Sequence, residues 1–465
     1  MRRSATFLAL LATGCASMEP AYVQPAPAIP ASWPAGDAYL RQSEASLPAV
    51  TYQQIFRDPR LQTLIQQALL NNRDMQVAAA NIAAGRARYR IQRAQQFPQL
   101  GANANVSVAG SDTDSIDTNY QLGAGVTGFE LDLFGRLKSL SHAELNRYFA
   151  TEAAARATRL ALVADVASAW LAHAADSSLL QIARNTADSA ERSVRLTRAR
   201  LEGGIAPRTD LRQAEQVLAQ AQADLAVQRT AVAQDVNLLQ LLVGAPIDPA
   251  LLSNSIDEAF ATVAELPPGV DSYVLLRRPD VVEAEYQLRA ANAQIGAARA
   301  ALFPHISLTG LLGLASTSLT GLFSGGAFGL TGSAGATYSI FNAGAGRANV
   351  RLSEAQRDAA LATYQKAIQT AFREVSDALA RRGTMTDELA ARERQNTAAA
   401  DAFALTEARY RAGIDNFLAT LVSQRSYYTA QQSLVIAKLT AAQNLVNLYQ
   451  TLGGDALEPP PAARP

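Results

Sequence analysis

Phe303-Pro304-His305-Ile306-Ser307-Leu308-Thr309 opens a stretch in which no Asp, Glu, Lys or Arg occurs between Ile306 and Gly346. A charge-free run of that length first suggests a membrane helix. It is dense in Gly, Ser and Thr, however, and its apolar residues alternate. Ile306 and Leu308 alternate with Ser307 and Thr309, and Phe328, Leu330, Tyr338 and Ile340 alternate with Thr331, Ser333, Thr337 and Ser339. Period-two alternation belongs to a strand with two unlike faces. Small uncharged polar residues opposite apolar ones suit a strand between lipid and a wet lumen. No other run reads as a spanning helix, so a membrane crossing by this chain requires a closed β-barrel.

The same signals occur twice. Asn71-Asn72-Arg73-Asp74-Met75-Gln76-Val77-Ala78 returns as Arg277-Arg278-Pro279-Asp280-Val281-Val282-Glu283-Ala284, and Phe97-Pro98 returns as Phe303-Pro304. Further on, Leu131-Asp132-Leu133-Phe134 corresponds to Tyr338-Ser339-Ile340-Phe341, and Leu201-Glu202-Gly203-Gly204-Ile205 to Tyr410-Arg411-Ala412-Gly413-Ile414. Four anchors in one order define an internal duplication. The halves span residues 51–250 and 251–454, with strands over about 99–109, 119–131, 305–315 and 328–341.

Each half reads as helix, two strands, a very long helix, a turn and a returning helix. In the first half a helix over about Arg60 to Gln96 ends before Pro98, which lacks an amide donor. Leu100, Ala102, Ala104, Val106 and Val108 then share one strand face. On the return strand the apolar parity changes at Gly128, which predicts a bulge or a strand exit there. Gly123 to Gly128 matches the dinucleotide pattern G-x-G-x-x-G, but inside a strand it lacks the strand-to-helix turn that pattern requires.

The long helices, about Arg136–Leu201 and Arg347–Tyr410, would each measure roughly 95–100 Å at 1.5 Å per residue. Leu361, Tyr364, Ile368, Ala371, Val375 and Ala378 step alternately by three and four, the spacing of helices packed lengthwise as coiled coils. Four strands cannot close a transmembrane barrel, since about eight is the smallest. Open edges in lipid leave backbone groups unsatisfied, so the barrel must be shared between chains. Two copies supply eight strands and three supply twelve, and periodicity does not choose between them.

Arg2 and Arg3 precede a short apolar run, Ala5 to Ala12, in the layout of a secretory signal over residues 1–14. Cys15, the single cysteine, excludes an intramolecular disulfide. Leu11-Ala12-Thr13-Gly14-Cys15 resembles a bacterial lipobox, which implies lipidation of Cys15, and Ala16 and Ser17 after it imply sorting to the outer membrane. Residues 15–50 then read as lipid anchor and Pro-rich linker, with Pro20 to Pro34 as an extended tether, and 455–465 as a loose tail.

With 41 basic and 41 acidic residues the formal charge is zero, which gives no electrostatic footprint for nucleic acid. His142, His173 and His305 are scattered, and no spacing points to a metal or cofactor. No nucleophile, base and orienting group can be assembled, so the chain is read as a non-enzyme.

The duplication, the lipobox, the Phe-Pro strand entries and above all Arg409-Tyr410-Arg411-Ala412-Gly413-Ile414-Asp415-Asn416-Phe417-Leu418 resemble the TolC/OprM-type outer-membrane efflux proteins, in particular their lipoprotein, NodT-type branch. The resemblance covers Cys15 to about Gly454. It implies a mainly α chain with a membrane β part: a homotrimer with a twelve-stranded barrel in outer-membrane lipid, continuous with a periplasmic α-helical barrel. It implies as partners a periplasmic adaptor and an inner-membrane transporter of the resistance-nodulation-division class, for which this chain is a passive exit duct. The alternatives are the duct of an ATP-driven protein secretion system and a structural envelope lipoprotein that conducts nothing.

By the same resemblance the turns Glu202–Asp210 and Ala412–Asn416 lie at the periplasmic gate, with Gly203, Gly204 and Gly413 providing backbone freedom. Leu418 matches the apolar ring, and Tyr410 and Arg425 the polar links between helices. Val422 stands where relatives commonly place an aspartate, with Asp415 nearby as a partial substitute.

Overall fold

A computed structural model describes residues 17–26, 51–110, 116–265 and 272–454. Cys15, the signal segment 1–14, the greater part of the linker and the tail 455–465 lie outside the described residues. The first half contains the short α1 (Tyr52–Ile55), α2 (Pro59–Asn71), α3 (Arg73–Ala94), β1 (Leu100–Gly110), β2 (Ile116–Leu131), α4 (Arg136–Glu202) and α5 (Arg208–Val243). The second contains α6 (Ile256–Ala261), α7 (Pro279–Ala300), β3 (His305–Ser316), β4 (Phe328–Thr337), α8 (Ala345–Arg411) and α9 (Phe417–Thr451). The long helices α4 and α8 have 67 residues each. Among the described residues no helix is long and apolar enough to cross a membrane.

Two compact units result. One comprises residues 80–153 and 282–367 with the segment 17–26. Its sheet is antiparallel in the order β1-β2-β3-β4. β1 pairs β2 from Leu100↔Val126 to Gly110↔Ile116, and β3 pairs β4 from His305↔Thr337 to Leu314↔Phe328. The central seam, β2 against β3, shifts register between Val126 and Phe129. Gly128 adopts φ +65° in that bulge and donates its amide to the Thr309 hydroxyl at 3.0 Å. The parity change in the sequence is therefore a bulge, and the G-x-G-x-x-G match lies inside β2.

At the foot of the β2–β3 seam Glu130 accepts two hydrogen bonds from Arg136, at 2.8 and 2.5 Å, and lies 3.4 Å from His305 Nδ1. Phe134 stacks on Phe303 there, with ring centroids 4.6 Å apart and planes 19° from parallel. The last strand ends at Thr337, whereas alternation predicted strand to 341. Alternation persists in Tyr338 and Ile340, but no neighbouring strand pairs with that segment among the described residues, and those side chains, with that of Phe341, are exposed.

The segment after Ala16, expected as part of an extended tether, is docked. Asn292 donates to the Pro20 carbonyl at 2.8 Å, and the Tyr22 hydroxyl donates to Glu285 at 3.4 Å. Arg289 lies over the Tyr22 ring at 4.9 Å while bonded to Glu285 at 2.6 Å. Glu19 meets His142 at 3.1 Å. A Cβ at Gly296 would fall 2.7 Å from the Glu19 Cα, so the absence of a side chain on α7 lets the segment cross it.

The other unit comprises the described residues of 51–79, 154–281 and 368–454. Its core contains Trp170, whose indole donates to the Leu251 carbonyl at 3.0 Å, and an edge-on Phe56–Tyr449 pair at 5.4 Å. The helix expected over 60–96 is two helices, interrupted at Asn72. The Asn72 side chain accepts from the Asp74 and Met75 amides at 2.8 and 3.1 Å and so caps α3. Its amide also donates to the Leu242 carbonyl at 2.9 Å, in the last turn of α5. The repeat puts Arg278 at the equivalent position before α7. Arg278 donates to the Thr451 carbonyl at 3.0 Å, in the last turn of α9, and to Asp280 and Glu374 at 2.7 and 2.9 Å. Both halves thus tie the start of one helix to the orphan carbonyls ending another.

We expect Arg278→Ala to destabilise the folded chain by roughly 2–3 kcal/mol, since it removes charge-assisted bonds from a buried site. Asn72→Ala should cost about 1 kcal/mol, the usual worth of a cap. Thermal unfolding of the purified variants checks the order, and equal losses would overturn the assignment.

Candidate functional site

The turns that join α4 to α5 and α8 to α9 lie together in the second unit. Both are built alike. The Ile205 amide donates to the Arg200 carbonyl at 2.9 Å and Gly204 to Leu201 at 3.0 Å; Ile414 donates to Arg409 at 2.9 Å and Gly413 to Tyr410 at 3.0 Å. These paired bonds are Schellman closures, which need a left-handed residue just past the helix. Gly204 and Gly413 fill that position at φ +73° and +76°. Gly203, also expected to be the flexible residue, is outside the positive-φ set. Asn416 then caps α9 by accepting from the Ala419 amide at 3.1 Å.

Beneath the turns Val194, Leu211, Ala214, Tyr410 and Phe417 form a buried apolar cluster, with Leu201 and Leu421 packed against it. The Tyr410 and Phe417 rings lie 5.4 Å apart. Tyr410 was expected as a polar link, but its hydroxyl is buried without a hydrogen-bond partner among the described residues. What reaches across is Arg200, which donates to the Tyr410 carbonyl at 3.1 Å with its guanidinium 4.6 Å from the ring centroid. A cation over an aromatic face contributes about 0.5–1 kcal/mol at exposed sites and more where, as at the buried Tyr410, the ring is desolvated.

Arg200 was not singled out from the sequence, although the repeat carries a signal for it. Its equivalent is Arg409, which holds Asp415 through two bonds of 2.7 and 3.0 Å. In the first turn Ala206 occupies the place of Asp415, so the acid that holds Arg409 has no counterpart for Arg200. The same residue type therefore closes its own turn in one half and bridges to the other turn in the other.

The Arg409 guanidinium holds the Asp415 carboxyl below its ordinary 3.8. Asp415 is thus already paired, which bears directly on its expected part as a substitute for an acidic ring. Leu418 and Val422, four residues apart on α9, are 54% and 55% exposed and share one helix face. Arg425 continues that face, exposed and without an ion pair among the described residues. It borders a cavity of about 380 Å³ walled by Gln213, Gln216, Gln220, Asp224 and Tyr428. The Tyr428 hydroxyl donates to Asp224 at 3.3 Å, and burial together with that carboxylate pushes the phenol up to about 12. The wall therefore presents amides, the Asp224 carboxylate and a neutral phenol. Cys15, the expected lipidation site, lies outside the described residues.

Two tests follow from this geometry. Gly204→Ala and Gly413→Ala should each cost about 1 kcal/mol, because a Cβ strains the left-handed backbone. Gly203→Ala should stay within about 0.5 kcal/mol, and thermal unfolding distinguishes them. The Arg409–Asp415 pair involves a depressed acid, so its contribution is full above pH 3.8 and is lost as pH falls through the lowered pKa. Asp415→Asn should flatten the pH dependence of stability below that value and leave it unchanged near neutrality.

A mainly helical, duplicated chain with four membrane-type strands and paired helix turns has clear counterparts among known proteins. Residues 64–245 and 272–454 match the family described as outer membrane efflux protein, one match per half. The toluene efflux pump outer membrane protein TtgI of Pseudomonas putida is 41% identical over 464 residues, covering 97% of this chain and 98% of that protein. The antibiotic efflux pump outer membrane protein ArpC of Pseudomonas putida is 43% identical over 457 residues, covering 96% and 94%. Among solved structures, the open state of the Neisseria gonorrhoeae MtrE outer membrane channel superposes with a TM-score of 0.84 at 34% identity, covering 95% of this chain and 99% of that one. Shared across the whole chain at this level, sequence and fold say the same thing: the chain belongs to the outer membrane efflux protein family and is an outer-membrane efflux channel.

Proposed function

We propose that three copies of the chain close a twelve-stranded barrel in the outer membrane, assemble their helix hairpins into a tunnel, and serve as the passive exit duct of a pump. The observation that carries this reading is the sheet itself. β1 and β4 each have a free edge, and their residues are exposed in the single chain. In lipid each unsatisfied backbone group costs several kcal/mol, so the edges need partners, and further copies of the same strands fit them best.

The cargo in this reading is small and largely apolar. Its support is kinship with proteins named for toluene and antibiotic efflux. The energy comes from an inner-membrane transporter of the resistance-nodulation-division class, coupled through a periplasmic adaptor, and the duct performs no catalysis and needs no cofactor. Acylation of Cys15 anchors the chain; in support, Ser17 to Ala26 follow it closely and are docked on the unit that carries the strands.

The helix turns act as the gate. Leu418 and Val422 of three chains supply an apolar constriction, Arg425 a cationic margin, and Arg200 the tie that holds the two turns of each chain together. The exposed face Leu418–Val422–Arg425 and the Arg200–Tyr410 bridge support this assignment. Repeated three times, each weak contact is multiplied.

Deleting the gene should sensitise cells to toluene and to apolar antibiotics, and the plasmid-borne chain should restore survival. Cross-linking in living cells should recover an adaptor and a proton-driven transporter; recovery of an ATP-driven exporter instead would move the cargo to protein. In planar bilayers Leu418→Ser and Arg200→Met should each raise the resting conductance several-fold, and unchanged conductance in both would overturn the gate assignment.

A further inference from the structure

We propose that Phe341 of one copy stacks on Phe97 of the next, an aromatic clasp that seats β4 of one chain against β1 of its neighbour and sets their register. The proposal rests on the shared-barrel reading and adds to it the contact that specifies the seam.

The internal duplication provides the template. β2 is the last strand of the first half and β3 the first strand of the second, so the β2–β3 seam is a junction between halves. A β4–β1 contact between copies joins the last strand of one half to the first strand of the other in the same antiparallel sense. At the foot of the β2–β3 seam Phe134 and Phe303 stack at 4.6 Å. The repeat maps Phe134 to Phe341 and Phe303 to Phe97. The equivalents are therefore a matched pair of rings at the foot of the β4 and β1 edges, but within one chain they belong to opposite edges.

Their surroundings agree. Phe97 is 56% and Phe341 86% exposed, and neither has a ring partner among the described residues. Ile340 and Leu100, beside them in sequence, are 90% and 80% exposed. Exposed apolar residues concentrated at an unpaired strand edge mark a contact surface.

Charge explains why the rings carry this seam. The β2–β3 seam has Glu130 bonded to Arg136 and facing His305. At the equivalent positions of the outer edges stand Thr337 and Gln99, and residues 97–110 and 306–346 contain no Asp, Glu, Lys or Arg. With no ion pair available, alternation alone leaves a strand free to slip by two residues. A stacked aromatic pair at one end of the seam removes that freedom. The competing occupant of these exposed rings is lipid at the membrane interface, where aromatic girdles also occur.

The test uses the full chain in its membrane, carrying Phe97→Cys with Phe341→Cys, treated with a short bifunctional maleimide. An acylated Cys15 has no free thiol, and each single variant reports any residual background. Covalent products of two and three chains from the double variant, at least tenfold above either single variant, are expected. Purified mass in detergent gives the copy number separately. Three copies without 97–341 linkage overturn the clasp and leave the shared barrel standing, whereas a single copy overturns both. If the double variant does not reach the membrane, a photoreactive benzoylphenylalanine at position 341 replaces it. Attachment to a neighbour's peptide containing Phe97 supports the clasp, and attachment to lipid or to its own chain overturns it.

Discussion

Every part of this architecture answers to the unpaired edge of a sheet placed in lipid. A backbone amide or carbonyl in hydrocarbon has no water to turn to, and four strands in the order β1-β2-β3-β4 leave two such edges. Closure has to come from other copies, so chain stability and assembly are one problem. The seams are built with little tolerance. A Cβ at Gly125 or Gly313 would collide with backbone across β2 and β3, so side chains are excluded where those strands come closest.

Duplication supplies a repeated solution, and divergence then assigns different tasks to its two copies. Asn72 and Arg278 both tie a helix start to the carbonyls at another helix's end, one with a neutral amide and the other with a buried guanidinium held by two carboxylates. Arg200 and Arg409 occupy equivalent positions beside equivalent Schellman closures. Because Asp415 is present in one turn and Ala206 in the other, Arg409 is occupied locally and Arg200 spans to Tyr410. A single substitution between the halves thus converts a turn-closing residue into a link between hairpins.

The long helices show how modest local signals add up. Tyr364, Ile368, Ala371, Val375 and Ala378 of α8 are all buried, as their three-and-four spacing requires. The small size of Ala371 and Ala378 permits close lengthwise approach there. The candidate site consists of paired helix ends, which in the proposed reading control access.

Periodicity and repetition in the sequence determined the element types, the duplication, the strand pairs, the bulge at Gly128 and the length of the long helices, because these depend on spacing along one chain. They also located the two helix-to-helix turns, since left-handed closures need glycine. Spacing alone predicted too long a helix over 60–96 and too long a final strand. Asn72 interrupts the first through a hydrogen bond to Leu242, distant in sequence, and the second ends where its neighbour ceases to pair. Which glycine is left-handed, that Tyr410 is buried rather than bonded through its hydroxyl, that Arg200 reaches across to the Tyr410 carbonyl, and that Phe97 and Phe341 stand open while Phe134 and Phe303 are stacked were decided only by the tertiary structure. Each depends on a meeting between residues far apart in the chain, and such meetings are set by packing and by competition for hydrogen-bond partners, which no local pattern encodes.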